Sequence, residues 1–153
     1  MKNVRAWWYI PLFIIAFLCD RVTKYLVLKY ITWYPVTSFF SLYLVHNTGI
    51  SWGIADGLGM SAQIIIMFVV TGMIFLIMQQ GRKKMLSGKS IIGEILVCSG
   101  AISNLFDRIW YGGVIDFISF QIFDWQAPIF NIADVFIVGG ISLILFNEMF
   151  YHE

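Results

Sequence analysis

A chain of 153 residues with 59% hydrophobic and only 12% charged side chains cannot coat a water-facing surface. That excludes a soluble enzyme and a disordered tail, and a net charge of +1 leaves no basic field for a nucleic acid. Aromatics at 18% fit a protein with rings at two membrane–water boundaries.

Taken in chain order, Lys2 and Arg5 precede an apolar run from Trp7 to Cys19 that imitates a secretory signal. A lipobox ending at Cys19 needs a small residue before the cysteine, and Leu18 stands there. The helical pattern continues past Asp20 through Tyr25–Leu28, so a retained span over about 7–28 is expected. Asp20 and Lys24, spaced i, i+4, share one face of it with the acid N-terminal to the base. A self-neutralising pair and a direct role in chemistry both fit them.

The segment from Lys29 to Met60 contains Ser38–His46, rich in β-formers and partly alternating. Asn47 and Gly49 follow it and read as a turn needing positive φ. Ser61–Gln80 is free of formal charge and long enough for a second span. Arg82, Lys83, Lys84 and Lys89 then fill the link to a third, over 91–107, with Glu94 near one end as an interfacial snorkelling acid.

Asn104, Asp107 and Arg108 close the third span on one helical face, where Asp107 and Arg108 suit a structural clamp. Gly112-Gly113 offers a turn before a second strand-like run, Val114–Phe120. Asp116 lies inside that run without an adjacent cation, which favours function over structure. The last span is expected over 128–150, with Pro128 in its first turn. Asn131 and Asp134 share one of its faces, and Asp134 would lie roughly 9 Å below its start.

Six of the ten basic residues fall before the first span or between the second and third, so that side is cytoplasmic and both termini are inside. The expected fold is an α-helical integral membrane protein of four transmembrane helices forming one domain, 1–153. A small sheet would lie on the outer surface, with Trp33, Trp52, Trp110 and Trp125 at headgroup level. Cys19 and Cys98 read as small buried hydrophobes, and no Cys/His spacing resembles a metal site.

Ionisable groups within spans are costly and usually serve a cavity or a site. Asp116 and Asp134 converge at the outer end of the bundle. Two carboxylates in a poorly hydrated place tend to hold one proton between them. Such a pair takes a proton from water with one member and donates to a carbonyl or departing amine with the other, as peptide hydrolysis needs. Lys24 with Ser103 or Ser99 is the competing hydrolytic pair, although serine in a membrane helix commonly serves packing.

These motifs in this order resemble lipoprotein signal peptidase (signal peptidase II), the membrane aspartyl protease family of bacteria. The landmarks are Asp20-x-x-x-Lys24, Asn47-Thr-Gly49, Asn104-Leu-Phe-Asp107-Arg108, Val114-Ile-Asp116-Phe117 and Phe130-Asn131-Ile-Ala-Asp134. The resemblance implies four spans in the bacterial inner membrane, an extracytoplasmic β-cradle and a short surface helix, here Ile54–Met60. It implies a diacylglyceryl-modified prolipoprotein as substrate, cut before the lipidated cysteine, with Asp116 and Asp134 as the catalytic dyad. Asn104, Arg108 and Asn131 would position substrate or orient the dyad. Asn47 and Gly49 would shape the cradle wall, and Asp20 and Lys24 would support the site. Membrane lipids are the other partners, no metal or organic cofactor is implied, the expected state is a monomer, and globomycin-type peptides would occupy the cleft. The family commonly has Asn-x-Gly-Ala-Ala-Phe where Ile50, Ser51 and Trp52 follow Gly49, and glycines where Ser99 and Ser103 stand; these changes bear on cleft width. A small transporter or ion-conducting protein is the alternative, disfavoured because the charges cluster at one end and no inverted repeat is evident.

Overall fold

The computed structural model of the chain describes residues 6–49 and 59–150. A 3₁₀ turn, Ala6–Trp8, leads into α1 (Tyr9–Tyr30). Strands β1 (Trp33–Pro35) and β2 (Phe40–Asn47) follow, then α2 (Gly59–Leu86) and α3 (Ile92–Tyr111). The chain ends with β3 (Val114–Ile122), β4 (Trp125–Gln126) and α4 (Ile132–Phe150). The fold is mostly helical with one small antiparallel sheet. Two helices, α2 from Met60 and α4, are long and apolar enough to cross a membrane. The other two, α1 and α3, carry Asp20, Arg21, Lys24, Glu94, Asp107 and Arg108.

The helix bounds differ from the expected spans for local reasons. The basic run is not a link: α2 continues through Arg82, Lys83 and Lys84, all good helix formers, to Leu86. Gly81 does not interrupt it, and Glu94 of α3 packs there. Glu94 is buried and does not snorkel, because Lys84 Nζ reaches it at 2.8 Å and Glu148 of α4 at 2.9 Å. One lysine thus ties three helices at the end remote from the sheet. At the other end α3 runs on to Tyr111 and stops at Gly112, whose φ of 75° is the left-handed cap that an L side chain resists. Pro128 does not open α4. Residues 128–130 run beside β3, where Phe130 exchanges backbone hydrogen bonds with Ile118 (2.8 and 3.1 Å), and the helix begins at Ile132. The surface helix expected over Ile54–Met60 lies outside the described residues up to position 58, and Gly59 and Met60 already belong to α2.

The sheet has the order β1-β2-β3-β4, all antiparallel. The two expected strand segments form its central pair, with Phe40 opposite Phe120 and Asn47 opposite Val114. A register irregularity between Leu42 and Val45 lets both ends stay paired. The short edge strands were not expected; Pro35 is tolerated in β1 because an edge needs no donor there. Trp33, Trp110 and Trp125 are exposed, and Trp52 lies outside the described residues.

Polarity is inverted relative to a water-soluble protein. Phe68, Leu76, Val138 and Met149 are among many exposed apolar side chains on the helices. The largest fully buried side chains are Lys24, Asn131, Asp20, Asp107, Ser99 and Ser103. Cys19 is also exposed, contrary to expectation, since the outward faces are the apolar ones; Cys98 is buried. Helices α3 and α4 pack backbone to backbone through small residues, as membrane helices do. A Cβ on Gly140 would meet Gly93 O at 2.6 Å and Val97 Cγ2 at 2.7 Å. Substituting Gly140→Val is therefore expected to destabilise the protein by about 1–3 kcal/mol, read as a lower thermal midpoint in detergent, while Gly139→Ala, beside open space, leaves the midpoint nearly unchanged.

Candidate active site

The site is built around an ion cluster where α1, α3 and α4 meet. Lys24 Nζ has three acceptors: Asp20 Oδ2 at 2.8 Å, Asp107 Oδ2 at 2.7 Å and Asn104 Oδ1 at 2.8 Å. An ammonium group has three N–H donors, so its capacity is filled. Arg21, which the sequence reading passed over, donates to Asp107 Oδ1 at 2.6 Å and to the Ser103 carbonyl at 3.2 Å, its guanidinium lying over the Phe106 ring. Asp107 thus clamps α1 to α3 through Arg21 and Lys24, rather than pairing with its neighbour Arg108. It also accepts the Ile115 N–H at 3.2 Å, fixing the start of β3.

Asp20 connects the cluster to α4. Its Oδ1 accepts the Ala133 N–H at 2.9 Å, and its Oδ2 accepts the Ser103 hydroxyl at 2.6 Å. A carboxylate on a free N–H of a first helical turn is favoured both by hydrogen bonding and by the helix dipole. Ser103 therefore donates to Asp20 and not to Lys24, while Ser99 donates to the Leu96 carbonyl at 2.9 Å. With Lys24 Nζ occupied as well, the serine/lysine pair has no geometric support.

Asn131 caps α4. Its Oδ1 accepts the Asp134 N–H at 3.0 Å, and its own N–H donates to Asp134 Oδ2 at 3.1 Å. This is the reciprocal arrangement of a capping box, with aspartate in the place usual for glutamate. Asp134 consequently sits in the first turn, at the rim of the helix rather than roughly 9 Å along it. Its Oδ1 accepts Asn104 Nδ2 at 2.8 Å. The same Asn131 turns its Nδ2 to Asp116 Oδ1 at 2.6 Å, with Asn104 Oδ1 at 3.1 Å and the Ile115 carbonyl at 3.3 Å also in range. One buried asparagine thus touches both carboxylates.

Asp116, only 3% exposed, has its second oxygen on Asn47 Nδ2 at 2.9 Å. Asn47 ends β2 instead of adopting the positive φ expected of it, and its Oδ1 accepts the Gly49 N–H at 3.1 Å, so the side chain makes the turn. Burial pushes the Asp116 carboxyl up to about 7, and the Asp134 charge adds to the rise, while Asn47, Asn131 and Lys24 oppose it. No ion pair to Asp116 or Asp134 occurs among the described residues. Their partners are neutral amides.

Asn104, Asp107 and Arg108 do not act on one face. The first two meet at Lys24, whereas Arg108 reaches away to Gln63 Oε1 at 2.8 Å and the Gly49 carbonyl at 2.7 Å. Gln63 was also missed, since a polar residue near the start of a helix carries no local signal. Of the departures noted in the sequence, Ile50, Ser51 and Trp52 lie outside the described residues.

The family model for signal peptidase (SPase) II matches residues 12–150. The lipoprotein signal peptidase of Burkholderia ambifaria (strain MC40-6) is 34% identical over 157 residues, covering 94% of this chain and 87% of that protein. That of Buchnera aphidicola subsp. Acyrthosiphon pisum (strain Tuc7) is 34% identical over 154 residues, covering 94% and 92%. Two solved structures of a bacterial membrane enzyme, obtained by the in meso method, superpose with TM-scores of 0.73 and 0.74 at 27% and 26% identity. They cover 99% and 97% of this chain, and the chain covers 95% and 97% of theirs.

The ion cluster generates its own test. Lys24→Met leaves Asp20 buried without a cation and Asp107 with Arg21 alone, and should lower stability by about 3–5 kcal/mol, seen as earlier thermal unfolding in detergent. Ser99→Ala, which removes only a hydroxyl bonded within its own helix, should shift the midpoint little.

Proposed function

The chain belongs to the signal peptidase II family, and from that premise we propose that Asp116 and Asp134 are the catalytic pair of a membrane aspartic endopeptidase. It removes the signal peptide from prolipoproteins. The substrate is the diacylglyceryl-modified precursor, cut immediately before the lipidated cysteine. The observation that carries the assignment is Asn131, whose side chain and backbone hold one oxygen of each carboxylate.

The chemistry proceeds with one proton on the pair. The ionised carboxylate removes a proton from water, and the hydroxide oxygen attacks the scissile carbonyl carbon. The protonated partner gives its proton to the carbonyl oxygen, producing a neutral tetrahedral diol. Collapse of the diol breaks the C–N bond, a proton passes to the departing cysteine amine, and the pair regains its single proton. Neutral amide donors suit this cycle, because they orient both carboxyls without fixing both as anions. Asn104 and Asn131 hold the pair, Arg108 faces the substrate backbone beside it, and Asn47 with Gly49 forms the neighbouring wall. Asp20, Lys24 and Asp107 hold α1, α3 and α4 in the arrangement that this needs.

In the membrane, we read all four helices as spans of the bacterial inner membrane, with both termini cytoplasmic and the sheet on the outer face. Six of the ten basic residues then lie inside, and the exposed apolar helix surfaces face lipid. The sheet serves as the cradle for the precursor, in one domain over 1–153. The proposed working unit is a monomer. Globomycin-type peptides would occupy the same cleft.

Cleavage of a diacylglyceryl-cysteine precursor by purified protein in detergent, beside its unmodified counterpart, tests this reading. Asp116→Asn and Asp134→Asn should each abolish cutting, a loss of at least about 10³-fold, with thermal midpoints close to the parent. Full activity in either variant would refute the assignment. Ser103→Ala should still cut, because the serine hydroxyl only supports Asp20.

The pH profile supplies a second check. A carboxyl raised to about 7 keeps its proton below that pH and loses it above, so kcat/KM should fall on the alkaline side with an apparent value near there. That value belongs to the pair rather than to Asp116 alone. Activity that stays flat to pH 9 would count against a shared proton.

A further inference from the structure

Gln63, on the first turns of α2, belongs to none of the sequence motifs, yet it closes a ring at the edge of the site. Its Oε1 accepts Arg108 Nη1 at 2.8 Å, and its Nε2 donates to the Thr48 carbonyl. Arg108 Nη2 in turn donates to the Gly49 carbonyl at 2.7 Å. The ring therefore joins α2, the end of α3 and the two residues after β2. It continues inward: Gly49 N–H donates to Asn47 Oδ1, and Asn47 Nδ2 donates to Asp116 Oδ2. An unbroken chain of hydrogen bonds runs from Gln63 to a proposed catalytic carboxyl.

The chemistry of the side chain fits this place. An amide offers an acceptor and two donors on one planar group, so it satisfies a guanidinium N–H and a backbone carbonyl together. A carboxylate in its position would hold the guanidinium and repel the carbonyl; a thioether of similar length would do neither. Arginine has many rotamers, and ordering it before the substrate arrives reduces the entropy lost on binding.

Resting on the proteolytic reading above, we propose that Gln63 is a positioning residue that acts through Arg108. It holds the guanidinium and the Thr48–Gly49 carbonyls in one arrangement, so that the precursor backbone entering beside Asp116 meets a preset cation and a preset wall. The effect falls on substrate binding, and the reacting atoms are not touched by Gln63 itself.

A double-mutant cycle separates this from a merely structural role. Cleavage of the lipidated precursor in detergent is compared for the parent, Gln63→Met, Arg108→Met and the double variant, with thermal midpoints recorded. Gln63→Met in the parent should lower kcat/KM about tenfold, mostly through KM; in the Arg108→Met background it should change it less than about twofold. Gln63→Glu, which keeps the guanidinium's acceptor while losing the Thr48 contact, should recover activity only in part, to about threefold below the parent. Undiminished activity in Gln63→Met overturns the proposal. So does an equal loss in both backgrounds that Gln63→Glu does not restore, since it would mark a structural residue. A parent protein that fails to cut the precursor would instead overturn the proteolytic reading, and this inference with it.

Discussion

A buried ammonium group must find acceptors for its protons before anything around it can be stable, and Lys24 finds them on two helices at once. Asp20 is on its own helix, while Asp107 and Asn104 come from α3. In a molecule whose outer surface is apolar, the usual remedy of turning a charge toward water is closed to these groups. Their mutual satisfaction decides how α1 and α3 cross. Arg21 completes the set, so that two cations face two anions and the cluster is neutral as a whole. Removing any one member leaves a buried charge exposed to its like, which is why such clusters are far more costly to break than they are favourable to form.

From that cluster the remaining geometry follows step by step. Asp20 takes an N–H at the start of α4, which fixes where that helix begins relative to α1. Asn131 then caps the same turn and points its amide across to β3. Asp107 takes the Ile115 N–H and so sets the register of β3 against the end of α3. Asp116 is one residue further on. The two acids proposed for catalysis are thus located by backbone groups of the elements that carry them, each held by a different arm of one ion cluster. The glycine contacts between α3 and α4 permit this, because only a close approach brings Asn104 within reach of Asp134 and Asn131 together.

Much of this was legible in the sequence, for a definite reason. An acid inside an apolar stretch is a local anomaly, and Asp116, Asp134, Asp20 and Lys24 each stand out without any knowledge of the fold. Partnerships are different. Asp107 beside Arg108 looks like a pair, but adjacent residues on a helix point about 100° apart, and the helix crossing gave Asp107 to Arg21 and Lys24. Gln63 has a role only because α2 approaches α3 there, which no window of sequence encodes. The start of α4 was misread for another reason: Pro128 suits a first turn, but the capping pattern Asn131-x-x-Asp134 three residues later competes with it and has the better hydrogen bonds. The edge strands β1 and β4, at three and two residues, are too short for alternation to register.

The choice of asparagine around the acids has a consequence for charge. Were Asp116 and Asp134 each paired with a lysine or arginine, both would ionise and neither could donate a proton. Arg21 and Lys24 are instead matched to Asp20 and Asp107, and Asn47, Asn104 and Asn131 take their place at the proposed pair. A further cation outside that cluster is Arg108, whose guanidinium charge interacts with both acids while its hydrogen bonds go to Gln63 and Gly49. One cation against two carboxyls is balanced when the carboxyls together carry a single negative charge. In a place with little water, charge neutrality and the one-proton state of the proposed hydrolysis then coincide. The arrangement that makes the bundle tolerable to its own interior is thus also the one that the proposed hydrolysis requires.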